Sequence, residues 1–148
     1  MNKICTTIEQ SQKLIELGID VNTADMMWDD WSLIDEGWKL SVGYHPEIEK
    51  DYGRKCYPAW SLSALLDLIP KHIKQDDGRI YKFHIFNDDG IVIQRWGCSY
   101  VANDYHNRAE YLSDPTLKYP TNIYGDKYED ILDAVFEMIL KLHEQKLI

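Results

Sequence analysis

The sequence predicts an α+β fold: a small, mainly antiparallel sheet centred on a β-hairpin and packed against about three helices, in one domain over residues 1–148. Three observations carry this reading. Residues 127–145 repeat apolar positions at helical spacing, with Ile131, Val135, Met138 and Leu142 in one stripe and Leu132, Phe136 and Ile139 in a second. Residues 61–69 form a shorter helix with both ends specified. Ser61 supplies a capping hydroxyl, Leu62, Leu65, Leu66 and Ile69 share one face, and Pro70 removes the donor needed to continue. Between these helices, strand-like residues flank Asn87-Asp88-Asp89-Gly90, which is hairpin turn chemistry.

The other elements follow in order. Thr6-Thr7-Ile8-Glu9 reads as a capping box in which the Thr6 hydroxyl meets the Glu9 N–H, opening a helix to about Leu17 with Gly18 as its C-cap. From Met26 to Trp38 apolar and acidic residues interleave without one period, so the segment reads as irregular with one helical turn. Residues 39–44 alternate as a short strand that joins the hairpin sheet and ends at His45-Pro46, and residues 47–55 read as a charged surface loop. With Gly90 in the left-handed position of a three-residue loop, Ile85 faces Ile93 and Phe83 faces Arg95, so Tyr81, Phe83, Ile85, Ile91 and Ile93 share a face. Gly97 to Tyr124 is the least regular stretch, rich in tyrosine and broken by Pro115 and Pro120, with a short helix predicted over about 103–112. The wide apolar surface of the last helix wants cover on two sides, from the sheet and the 61–69 helix or from a second copy.

Composition bounds the function. The chain is 45% hydrophobic and 28% charged, which is globular. It has no run near the roughly 18 apolar residues of a membrane span, and its first residues lack the apolar core of a secretory signal, so a cytoplasmic protein is expected. Cys5, Cys56 and Cys98 have no paired spacing and read as reduced packing residues. A net charge of −9 argues against direct nucleic-acid binding, because phosphates would be repelled. Residues 21–36 carry Asp25, Asp29, Asp30, Asp35 and Glu36 with no Lys or Arg, so a partner chosen by charge would present a basic surface.

Chemistry-bearing motifs are sparse. His45, His72, His84, His106 and His143 stand at no metal-ligand spacing, and a Cys98 pair with His84 or His106 would have to be assembled by folding alone. No phosphate-binding glycine loop or nucleophile elbow is present, and the Asp pairs at 76–77 and 88–89 each precede a turn glycine, so hairpin formation explains them better than a cation. No catalytic, cofactor-binding or metal residue is assigned. The richest constellation is acidic and aromatic: Asp25, Trp28, Asp29, Asp30, Trp31, Asp35, Glu36 and Trp38, with Tyr100 and Tyr105 from the later loop. Tryptophan faces beside carboxylates suit a cationic ligand or a Lys/Arg-rich protein surface. Against this stands a plainer reading, in which the tryptophans anchor an irregular segment and the acids stay in water.

Four segments carry a resemblance: residues 6–10 with 14–20, Thr23-Ala24-Asp25-Met26, Pro58-Ala59-Trp60-Ser61-Leu62-Ser63-Ala64-Leu65-Leu66, and Asp133-Ala134-Val135-Phe136-Glu137-Met138. Together they resemble a family of small uncharacterised proteins of gut-type anaerobic bacteria and their prophages or mobile elements. That family has no assigned activity, so the resemblance implies an origin and carries over no site residue. The resulting expectation is a non-enzymatic protein-binding or regulatory accessory protein, a monomer or homodimer that needs no cofactor. The rival expectation is a small-molecule binder or enzyme with a site built from Trp31, Trp38, Tyr100, Tyr105 and a His or Cys.

Overall fold

A computed structural model describes residues 3–34, 37–74, 79–89, 94–102 and 123–148 and shows an α+β fold. The chain gathers into two compact units, Met1–Leu68 and Ile69–Ile148.

The first unit is a three-stranded antiparallel sheet of order β2-β1-β3, formed by β1 (Met26–Asp30), β2 (Trp38–Val42) and β3 (Cys56–Ala59). Helices α1 (Ile8–Glu16), α2 (Glu47–Tyr52) and α3 (Leu62–Leu68) accompany it, with short 3-10 turns at Val21–Thr23 and Ser32–Ile34. The capping box of α1 sits one residue later than the sequence predicts. Thr7 is the N-cap: its hydroxyl accepts from the Gln10 N–H at 3.2 Å, and its own N–H donates to Gln10 Oε1 at 3.0 Å. Thr6 is not free for that role. It is fully buried, its hydroxyl accepts the Trp60 N–H at 3.0 Å, and it shares a hydrogen bond with Ser11 at 2.8 Å.

Residues 26–30, read as irregular, form the central strand instead. Met27 and Asp29 are buried on one face, and Met26, Trp28 and Asp30 lie half-buried on the other. A charged residue at a buried position breaks the apolar alternation that marks a strand, which is why the pattern did not declare itself. The 47–55 segment, expected to be a loop, contains α2. That helix buries no residue, so it has no apolar stripe to detect; its acids Glu47 and Glu49 sit in the first turn, Lys50 in the last, and Gly53 closes it at φ 63°. The strand expected at 39–44 exists as β2 but pairs with β1, in a sheet separate from the hairpin.

The second unit is a four-stranded antiparallel sheet of order β4-β5-β6-β7, made of β4 (His72–Lys74), β5 (Ile80–Asp89), β6 (Gln94–Ala102) and β7 (Ile123–Tyr124), and helix α4 (Ile131–Glu144) packs on β6. The hairpin register differs from the predicted one by five residues: Ile85 pairs with Cys98, and Phe83 with Tyr100. An odd shift flips one strand relative to the other, so Cys98 and Tyr100 share the face of Tyr81, Phe83 and Ile85. Strand β6 thus runs through Gly97 to Ala102, where an irregular loop was expected. Gly97 is opposite Phe86, and a Cβ there would lie 2.4 Å from the ring, so any larger residue would force the ring to shift. Helix α4 begins at Ile131 instead of near residue 127. Tyr128 is held in an extended backbone pair with Trp96, and the Asp130 carboxylate caps the helix through the Leu132 N–H at 2.8 Å. Leu132, Val135, Phe136, Met138, Ile139 and Leu142 are buried, as the two stripes predict. The predicted 103–112 helix and the Gly90 turn lie outside the described residues.

Candidate functional site

Asp25, Trp28, Asp29, Asp30, Trp31 and Trp38 of the acidic and aromatic constellation map onto the first unit's sheet and its flanking residues. The described acids, Asp25, Asp29 and Asp30, are engaged. Asp25 accepts the Ser61 N–H at 2.8 Å and the Ser61 hydroxyl at 2.5 Å, which ties β1 to the start of α3. Asp30 accepts the Ser32 N–H at 2.9 Å and the Ser32 hydroxyl, and these bonds hold its carboxyl below the usual range. Asp29 is buried and meets Arg54 Nη2 at 3.1 Å, and its Oδ2 also accepts the Trp31 indole N–H at 2.8 Å. Asp29 Oδ1 and Arg54 Nε are buried with no hydrogen-bond partner among the described residues.

The tryptophans divide by role. The Trp28 indole donates to the Thr6 carbonyl at 2.9 Å and anchors the central strand to the segment before α1. The Trp31 ring receives two of the chain's own cations, the Arg54 guanidinium 4.2 Å and the Lys39 ammonium 4.7 Å from its centroid. Its aromatic face is therefore already used. Trp38 is 40% exposed and leans on Tyr57, ring centroids 5.5 Å apart. Tyr100 does not belong to a surface at all: it is fully buried in β6 and donates its hydroxyl to the Pro70 carbonyl, since the hairpin register turns it inward. Asp35, Glu36 and Tyr105 lie outside the described residues.

What sequence reasoning missed is the edge position of the strand that Trp38 opens. Strand β2 is at the sheet edge, and β1 is its neighbour on the inner side. The Gly43 N–H donates to the Asp25 carbonyl at 2.7 Å, and the Gly37 carbonyl accepts the Trp31 N–H at 2.8 Å. The odd-numbered residues of this strand thus face β1, and by alternation the N–H and C=O groups of Trp38, Leu40 and Val42 point outward. The same three side chains share one face with Met26, Trp28, Asp30 and Tyr57. Val42 is 82% exposed and Ile34, just before the strand, 58%. The alternation of 39–44 foretold the strand, but no local signal says which edge of a sheet is left uncovered.

The ingredients of a nucleophilic or metal site do not converge among the described residues. Cys98 pairs with Ile85 while His84 pairs with Ser99, so the proposed Cys98 and His84 couple is split between opposite faces of the sheet. Burial pushes the Cys98 thiol up to about 12 and, with Asp25 nearby, the Cys5 thiol up to about 11, away from the thiolate a nucleophile needs. Burial also raises Cys56, reinforced by Glu49. His106 lies outside the described residues, and among those described no three His, Cys, Asp or Glu side chains cluster to hold a metal ion. No described helix is long and apolar enough to cross a membrane. Comparison with protein-family models, with curated proteins and with solved structures finds no match.

Proposed function

We propose that this chain is a non-enzymatic, protein-binding accessory protein of phage or mobile-element type that acts in the cytoplasm through the first unit's sheet. The observation that carries the reading is the edge of β2, which pairs with no strand but β1 among the described residues, with outward backbone groups beside exposed Trp38 and Val42. The mobile-element origin rests on the sequence resemblance. A small-ligand site gains little support from the same region, because the Trp31 ring and the Asp29 carboxylate are taken up by Arg54 and Lys39.

The test is affinity capture from host cells, run in parallel with the native chain and with Val42→Lys, followed by binding of the purified captured protein. The reading requires a protein that binds the purified native chain and is released by Val42→Lys. Capture that is empty, or identical for both chains, overturns it.

A further inference from the structure

Resting on that protein-binding reading, we propose a specific occupant: the β2 edge takes an extended peptide segment as a fourth strand, apolar at alternate positions and flanked by Lys or Arg.

Three independent features support this occupant. The first is the state of the edge itself. Sheets in isolated proteins shield their edges with proline, short strands, charge or cover. In this chain the opposite edge strand, β3, contains Pro58 and is capped by the segment before α1, through the Thr6 N–H to the Trp60 carbonyl at 2.9 Å and a Cys5 to Ser61 bridge. The edges of the second sheet, β4 and β7, are three and two residues long. Strand β2 is five residues long and contains no proline, and its one charge, Lys39, is drawn onto the Trp31 ring on the other face.

The second feature is the apolar row. Trp38, Leu40 and Val42 stand at i, i+2 and i+4 on one face, where an added strand would set its own alternate side chains against them. Main-chain bonds give such binding its affinity and these side chains its register. The third is charge. Residues 1–68 contain six Lys or Arg and twelve Asp or Glu, a net −6 out of the chain's −9. Asp30 is paired with Trp38 at one end of the row, half-buried on the same face, and uses only Oδ1 for Ser32. A flanking cation on the incoming segment therefore meets a carboxylate and a favourable field, whereas a second copy of this acidic unit would set negative units side by side.

The experiment uses fluorescence anisotropy with the full chain and three synthetic probes. One has about seven alternating Val and Thr residues between Lys pairs, one replaces the Lys pairs with Glu pairs, and one keeps Lys but carries N-methyl groups on alternate amides. The Lys probe should bind, with affinity falling as salt rises; the Glu probe should be at least about tenfold weaker, and the N-methyl probe should lose binding. Leu40→Pro should abolish Lys-probe binding in a chain that circular dichroism and urea unfolding show still folded, with a modest loss from the half-buried Leu40 side chain, because the lost N–H points outward. Equal binding of all three probes, or binding indifferent to Leu40→Pro, overturns the proposal. Sedimentation showing a dimer that Leu40→Pro dissolves would assign the edge to a second copy and overturn it as well. If the probes fail while capture still yields a Val42-dependent partner, the peptide proposal falls and the protein-binding reading stands; if both fail, both fall.

Discussion

The row Val42, Met26, Ala59 crosses the three-stranded sheet on one face and ends in two different environments: Val42 at the β2 edge is 82% exposed, and Ala59 at the β3 edge is 0% exposed. The strands are alike in length and pair with the same central strand. They differ in what lies beyond them. At β3, Pro58 withdraws a donor, and the chain before α1 returns to bond the Trp60 carbonyl. At β2, the described residues supply nothing of the kind. One edge has thus been incorporated into the core of its unit, whereas no described residue covers the other, and this asymmetry supports the proposed interaction surface more directly than the acidic residues do.

The largest expected effect comes from breaking the closed edge. Ala59→Lys would put an ammonium into a fully buried site with no partner and overfill it, together costing several kcal/mol, a large share of the roughly 5–15 kcal/mol that holds a domain folded. Urea unfolding should show loss of the cooperative transition or a midpoint far below the native one. Next is Arg54→Ala, which strands the buried Asp29 carboxylate in the central strand. Removing one partner of a buried pair costs about 3–5 kcal/mol, and the lower end is expected here because the pair leaves Asp29 Oδ1 and Arg54 Nε unbonded. The same variant removes one of the two cations over the Trp31 ring, leaving Lys39, so indole fluorescence should change even where the chain remains folded.

Thr6→Val sharpens the contrast at a single hydroxyl. The substitution keeps the shape but leaves the Trp60 N–H and the Ser11 hydroxyl without their partner inside a buried site, at a cost of about 1–3 kcal/mol by chemical denaturation. Thr7→Ala, which removes the α1 cap, should cost about 1 kcal/mol. A larger loss at Thr7 than at Thr6 would contradict the assignment of Thr6 to the closed edge.

These two threonines show where the sequence was readable. Caps and stripes are local, so α1, α3 and α4 could be recognised from spacing alone, with errors of one to four residues at their starts, where Thr6 and Tyr128 were claimed by distant backbone. Strand β1 could not, because Asp29 occupies a core position whose cost is offset by Arg54, 25 residues later in sequence. Helix α2 buries nothing and so left no pattern. The hairpin register depended on turn chemistry at Gly90, and a five-residue shift reassigned Tyr100 from candidate surface to core. For the site, Trp38 was legible as an aromatic beside acids. Its place at a sheet edge was not, because which strand ends up outermost depends on how distant strands pair.

The smallest effect on stability, and the one that most directly separates the two edges, is Val42→Lys. The side chain is already exposed, its outward backbone groups make no bond to β1, and Lys is tolerated on edge strands, so the change should lie within about 0.5 kcal/mol of native. Compared with Ala59→Lys, the same substitution at the other end of one row, the gap in urea midpoint measures how unequally the sheet treats its edges. The added charge would oppose a Lys-flanked segment and fill the space over Leu40, so binding should fall although folding does not. A Val42→Lys chain as destabilised as Ala59→Lys would mean that β2 is covered after all, and the open edge would cease to be the explanation for either binding proposal.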